Sequence, residues 1–242
     1  MLYDCVDHSF VRNRLNVFRQ FAVRFPFVDL PHSDPVILIA ELPVLVLAMI
    51  TITAVDSPPH RQGFAQAFRQ ALSTKVIVNG ERSMDLFLGL MVFMAWHHHY
   101  MEKHQIFQEL CLLSGMAADL GIDDMPASNL EQTATELQKH KAFLGCYYLC
   151  CGLATMGFNR PSPLRWSASL QQRALLLHSY SHGSPDVLPL VEVMHAMEDL
   201  DDVLTTEPDT RASASTGYQE LQTKVATQRL RNLKLSFPGK RP

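Results

Sequence analysis

Ser83-Met84-Asp85-Leu86-Phe87-Leu88-Gly89-Leu90-Met91-Val92-Phe93-Met94-Ala95-Trp96-His97 is the stretch that decides the fold. Ser83 has the side chain of an N-cap for the helix that follows. From Leu86 onward the predicted helix, 86–100, is apolar nearly all round its circumference. A helix with no polar face has nothing to offer water, so it is expected at the centre of a domain with other helices packed around it.

Working upstream, Asn79-Gly80 marks a tight turn, preceded by a predicted helix over 62–76 that carries Phe64, Ala67, Phe68, Ala71 and Leu72 on one face. The turn 56–59 separates it from an apolar run over 44–55. Pro43 interrupts that region, so the spacing predicts one short helix opened by Ser33-Asp34-Pro35 and a second from 43 to 54. The first helix follows Phe10, Arg14, Val17, Phe18, Phe21, Ala22 and Phe25, and stops where Pro26 forces its predecessor out of helical geometry. An extended connector, 26–31, follows.

Working downstream, a helix is predicted over 103–120 and closed by Gly121. A polar loop, 123–129, leads into a long helix over 131–157 with Leu137, Ala142, Phe143, Cys146, Tyr147, Cys150 and Ala154 as its apolar stripe. Residues 159–164 form a loop, and helices follow over 166–179 and 184–204. The segment 205–216 is rich in Ser, Thr, Asp and Pro, the composition of a linker, and a last helix is predicted over 218–235. The expectation is all-α: an irregular bundle of about ten helices around a buried central one. It divides into a helical regulatory domain, 1–205, a linker, 206–216, and a C-terminal helix with a basic tail, 217–242.

Composition narrows the function. Twenty-one Lys and Arg against 24 Asp and Glu give a net charge of −3, without the basic face that displaces counterions from phosphates, so this chain is not expected to bind nucleic acid directly. No apolar run reaches the ~20 residues that span a bilayer, and a soluble protein without membrane contact is expected. The five cysteines are an odd number with no regular framework, which fits a reducing compartment.

The ordered succession of motifs resembles the regulatory, or middle homology, domain of fungal binuclear zinc-cluster transcription factors. The entry is Phe18-Arg19-Gln20-Phe21 leading to Phe25-Pro26-Phe27-Val28-Asp29-Leu30-Pro31. Pro43-Val44-Leu45-Val46-Leu47-Ala48-Met49-Ile50 and the stretch from Glu81 to Trp96 continue it. Ala117-Ala118-Asp119-Leu120-Gly121-Ile122, Lys141-Ala142-Phe143-Leu144-Gly145-Cys146-Tyr147-Tyr148 and Leu164-Arg165-Trp166-Ser167 complete the order, so that the likeness covers roughly residues 10–205. The family's six-cysteine zinc module, which reads DNA, is not in this chain, so no cofactor is expected here. The stretch starts where that family's linker would end, as would a piece of a longer factor or a stand-alone derivative.

The resemblance implies an effector-sensing regulator of RNA polymerase II transcription, nuclear, with transcriptional machinery or co-regulator proteins as partners and a small-molecule effector or a homodimer contact as further options. The alternative is a stand-alone helical co-regulator without DNA binding. In that context Phe87, Met91, Met94, Trp96, Tyr147 and Trp166 are the candidate lining of an effector pocket, since methionine adapts its shape and pockets are largely apolar. The competing reading of the same side chains is plain core.

The remaining chemistry points away from catalysis and metal binding. His97, His98 and His99 leave a helix in three directions and cannot share one ion, and with His104 they suit a helix end better. Cys146 and Cys150, four apart, make half a zinc site without a second pair; with Cys151 they read as core. Arg160 and Arg165 at a loop-to-helix junction read as surface charge, and Glu198-Asp199-Leu200-Asp201-Asp202 as a solvated helix face. With no Gly-x-Ser-x-Gly elbow, phosphate-cradling loop or assembled nucleophile and base, an enzyme is not expected.

Overall fold

The computed structural model describes residues 8–30, 34–56, 58–124, 133–157, 160–179 and 187–205, together with 224, 225, 227, 228 and 231. Nine α-helices and no strand occur among them. They are α1 (His8–Ala22), α2 (Pro35–Glu41), α3 (Pro43–Thr53), α4 (Pro58–Leu72), α5 (Met84–His97), α6 (Lys103–Asp119), α7 (Ala134–Gly157), α8 (Ala168–Ser179) and α9 (Val187–Thr205). The all-α expectation holds, with the apolar helix at its centre: Leu86 to Met94 are buried without interruption. The expected linker lies outside the described residues, as do most of the loop 123–129 and most of the last helix; of the latter Lys224, Val225, Thr227, Gln228 and Arg231 are helical.

Packing follows from the sequence pattern. α3 and α5 are the most closely associated pair, and both are apolar on every face. Their contact is tight because Gly89 lacks a side chain: a Cβ there would lie 3.1 Å from Val44 Cγ1 and 3.2 Å from the Val44 backbone. α1 and α4 pack on α3, α6 and α7 meet α5, and α8 and α9 pack on α7. No single helix among the described residues is long and apolar enough to cross a membrane; α2 and α3, apolar in succession, are bent by 118° at Leu42.

Capping explains the helix ends. Asp34 caps α2 by accepting from Val36 N at 3.0 Å, with Pro35 in the first turn, so the cap falls one residue later than Ser33. Ser83 accepts from Leu86 N at 3.3 Å, and Gly121 ends the turn after α6 at φ 61°. α4 begins at Pro58, four residues before the predicted start, because proline needs no hydrogen-bond partner in a first turn. Its far end departs from the prediction too: the α-helix stops at Leu72 and continues as a π-helical turn, Ser73–Val78, which leaves Ile77 and Val78 exposed. Helical periodicity cannot register that wider turn.

Pro43 breaks the chain between α2 and α3 and leaves the first N–H groups of α3 without an intrahelical acceptor. Asp85, nearly buried in the first turn of α5, supplies one. Its Oδ1 accepts from Leu45 N at 2.8 Å and its Oδ2 from Val44 N at 3.1 Å. Burial pushes this carboxyl upward and the two backbone bonds oppose it. One side chain thereby anchors two helices.

Candidate functional site

The six candidate pocket residues fall into separate surroundings. Phe87, Met91 and Met94 project from α5 and are fully buried. Met91 packs where Gly145 brings α7 close, since a Cβ on Gly145 would lie 2.9 Å from Met91 Sδ and 2.6 Å from Phe27 Cβ. Trp96, further along α5, is partly buried in an aromatic cluster: Phe18, Phe21 and Phe25 surround it with centroid separations of 5.6, 6.4 and 5.4 Å. Tyr147 and Trp166 meet each other at 5.5 Å, on the far side of α7.

That last pair belongs to a polar cluster. Glu198 on α9 is buried, although the acidic run around it reads as a solvated face. Its carboxylate accepts from the Tyr147 hydroxyl at 2.7 Å, from Trp166 N at 3.1 Å and from Arg165 Nε at 2.7 Å. Arg165 also pairs with Asp202, one turn further along α9. Trp166 stacks on His195 at 4.0 Å, and His195 lies 3.6 Å from Asp199. Burial pushes the Glu198 carboxyl upward, while Tyr147, Trp166 and Arg165 pull the other way.

The same contacts correct three readings. The acidic run has one buried member, and Arg165, half-exposed, is more than surface charge because it closes the ion pair with Glu198. Trp166 does not open α8; its N–H is committed to Glu198, and the helix starts at Ala168 with Ser167 accepting from Leu170 N at 3.4 Å. The result is a latch of α7, the loop before α8, and α9.

The three cysteines of α7 lie in the core, whereas Cys111 on α6 is exposed. Cys146, Cys150 and Cys151 are buried, Cys150 Sγ donates to Leu110 O at 3.8 Å and Cys151 Sγ to Met194 O at 3.3 Å. Burial pushes the Cys151 thiol up to about 12, which leaves almost no thiolate at neutral pH. Among the histidines, His98 Nδ1 meets Met94 O at 2.9 Å, the helix-end contact its position implies. His97 is instead buried against Phe93, with ring centroids 4.4 Å apart. Among the described residues no group of three or more His, Cys, Asp or Glu side chains is placed to hold a metal ion.

Among the described residues, clefts lined by charged and apolar side chains together open on the surface. One, of about 120 Å³, lies between the π-helical turn and the end of α6 and includes Glu81, Arg82, Ser83 and Asp119. The other, of about 200 Å³, lies where the segment after α6 meets α7 and α8 and is lined by Gly121, Ile122, Asp124, Glu136, Lys139, His140 and Arg173. None of the six pocket candidates lines either. His140 and Arg173 gave no signal in the sequence, because a lone histidine and a lone arginine on two different helices carry no spacing that links them.

Comparison with known proteins gives two partial likenesses. The chain is 26% identical over 112 residues to transcription factor himD of Aspergillus japonicus, a match covering 46% of this chain and 19% of that protein. It is 21% identical over 203 residues to transcription factor opdL of Penicillium oxalicum, covering 74% of this chain and 35% of that protein. The chain thus spans about a third or less of the length of these relatives. No described protein family and no solved structure matches it.

Proposed function

We propose that this chain is a regulatory module of a fungal transcription factor, acting in the nucleus by binding rather than by turnover. The observation that carries the reading is the likeness to two fungal transcription factors, one of them extending over 74% of the chain. An effector or a co-regulator protein biases the packing of α8 and α9 on α7, and the Glu198 latch is the element that such a bias would open or close. A ligand shifts such an equilibrium only by its differential affinity for the two packings.

The test is a reporter assay in which this chain is fused between a heterologous DNA-binding domain and an activation domain. Modulation of the reporter by the chain, altered in the Glu198→Gln variant, is the expected result. A reporter that ignores the presence of the folded chain would sink the regulatory reading.

A further inference from the structure

Arg173 is the largest fully buried side chain among the described residues and is 1% exposed. Its guanidinium is nearly saturated. One terminal nitrogen donates to Asp123 O at 2.8 Å and Asp124 O at 2.6 Å, the other to His140 Nδ1 at 2.9 Å, and Nε donates to Ser169 Oγ at 3.2 Å. The Phe143 ring lies 4.8 Å from the guanidinium carbon. A guanidinium only donates, so Nδ1 of His140 is the acceptor and the ring proton sits on Nε2. Nε2 is buried and has no hydrogen-bond partner, in a residue that is itself 1% exposed. A buried donor left unmade costs free energy, so it calls for an acceptor.

Both His140 and Arg173 line the 200 Å³ cleft, and its other charged residues define what fits. Lys139 and Glu136 pair at 2.9 Å on its rim, and Asp124 adds a second carboxylate. Two cations, two carboxylates and one neutral imidazole leave the lining without net charge. A dianion would meet both carboxylates, and a bare cation would meet Arg173 and Lys139. A small molecule bearing one group of each sign offers an acceptor to His140 Nε2 and a cation to the carboxylates of Glu136 and Asp124. The volume lies below the 300–1,000 Å³ typical of sites for drug-sized ligands, which restricts the occupant to a small metabolite.

We propose that this cleft binds a free amino acid, its carboxylate accepting from His140 Nε2 beside Arg173 and its ammonium held by Glu136 and Asp124. The assignment rests on the regulatory reading only for its meaning as an effector site; the binding itself does not require it. Occupancy would tie the segment after α6 to α7 and α8, and α7 also contributes Tyr147 to the latch.

The experiment is calorimetric titration of the full chain with each of the common amino acids in turn, with acetate, succinate and methylamine as single-group controls. Saturable one-to-one binding of at least one amino acid is expected, weakened about tenfold or more in Glu136→Gln, which removes a charge facing the ammonium, and in His140→Phe, which removes the buried donor. Glu136 is partly exposed, so its variant keeps the test alive should His140→Phe fail to fold. Absence of binding by every amino acid, unchanged affinity in Glu136→Gln, or acetate binding as tightly as the amino acid would each overturn the proposal. Binding without any change in the reporter assay would leave the site standing and count against the regulatory reading, and a reporter response without amino-acid binding would do the reverse.

Discussion

Arg69 on α4, Glu109 on α6 and His97 on α5 show how burial can outweigh charge pairing at single residues. Arg69 Nε lies 3.4 Å from Glu109 Oε1, yet Glu109 Oε2 is buried with no hydrogen-bond partner, as are Nε and one terminal nitrogen of Arg69. Burial pushes the Glu109 carboxyl up to about 7 against the pull of Arg69. The group is protonated more readily folded than unfolded. Its favourable contribution is therefore complete below pH ~4.5 and is lost as the pH rises through about 7. His97 goes the other way: burial, then the charges of Arg69, Arg61 and His98, pull it down to about 4. Its contribution is present above pH ~6.5 and is lost as the pH falls toward 4. Each shift corresponds to about 3 kcal/mol at most. Glu109→Gln is expected to raise the urea midpoint at pH 8 and leave it nearly unchanged at pH 4. His97→Phe, a ring of similar size, is expected to flatten the loss between pH 6.5 and 4. Parallel stability curves for variant and parent across pH 4–8 would refute both assignments.

At the scale of elements, helix contacts depend on residues that occupy almost no space or carry a misplaced charge. Gly145 lets α7 approach the connector after α1, and Gly145→Ala must push its Cβ against Phe27 Cβ, 2.6 Å away, and Met91 Sδ, 2.9 Å away. The methionine can yield, but the Phe27 Cβ moves only with its backbone, so a loss of about 1–3 kcal/mol is expected in urea unfolding. Asp85→Ala removes the cap of α3, with an expected loss of about 1–2 kcal/mol, and Asp85→Asn, which keeps one acceptor, loses less. Equal losses for Ala and Asn would mean that the cap is not what Asp85 supplies. These elements were largely legible beforehand. α5 announced its burial because it has no polar face, Pro43 its break, and Gly121 its left-handed turn. What periodicity could not reveal is tertiary. Glu198 looks like its neighbours in an acidic run, and only partners 32 to 51 residues away, Trp166 and Tyr147, remove it from water. The pairing of Arg173 with His140, 33 residues apart, is hidden for the same reason. The six pocket candidates share apolar character but belong to different helices or faces, and side-chain type alone does not say which of them converge.

For the whole molecule, the consequence is an uneven distribution of stability. α3 and α5 lie inside, each covered by other helices, whereas α9 packs on α7 and α8 at one side of the bundle. Its hold there combines the buried Val187, Val191, Met194 and Ala196 with the Glu198 latch. Local opening draws on the least-covered elements first, so amide exchange is expected to be slowest in α3 and α5 and measurably faster in α8 and α9. Glu198→Gln keeps the shape of the side chain but removes the charge that Arg165, Tyr147 and the Trp166 N–H converge on. Hydrogen-exchange mass spectrometry of that variant is expected to show faster exchange in α8, α9 and the loop before α8, with α3 and α5 unchanged. Acceleration spread evenly over every helix would mean that the molecule opens only as a whole. A bundle that opens only as a whole has no separate element for an effector to bias. Acceleration confined to α8 and α9 would identify the part of the bundle able to adopt a second packing while the core around α5 stays closed.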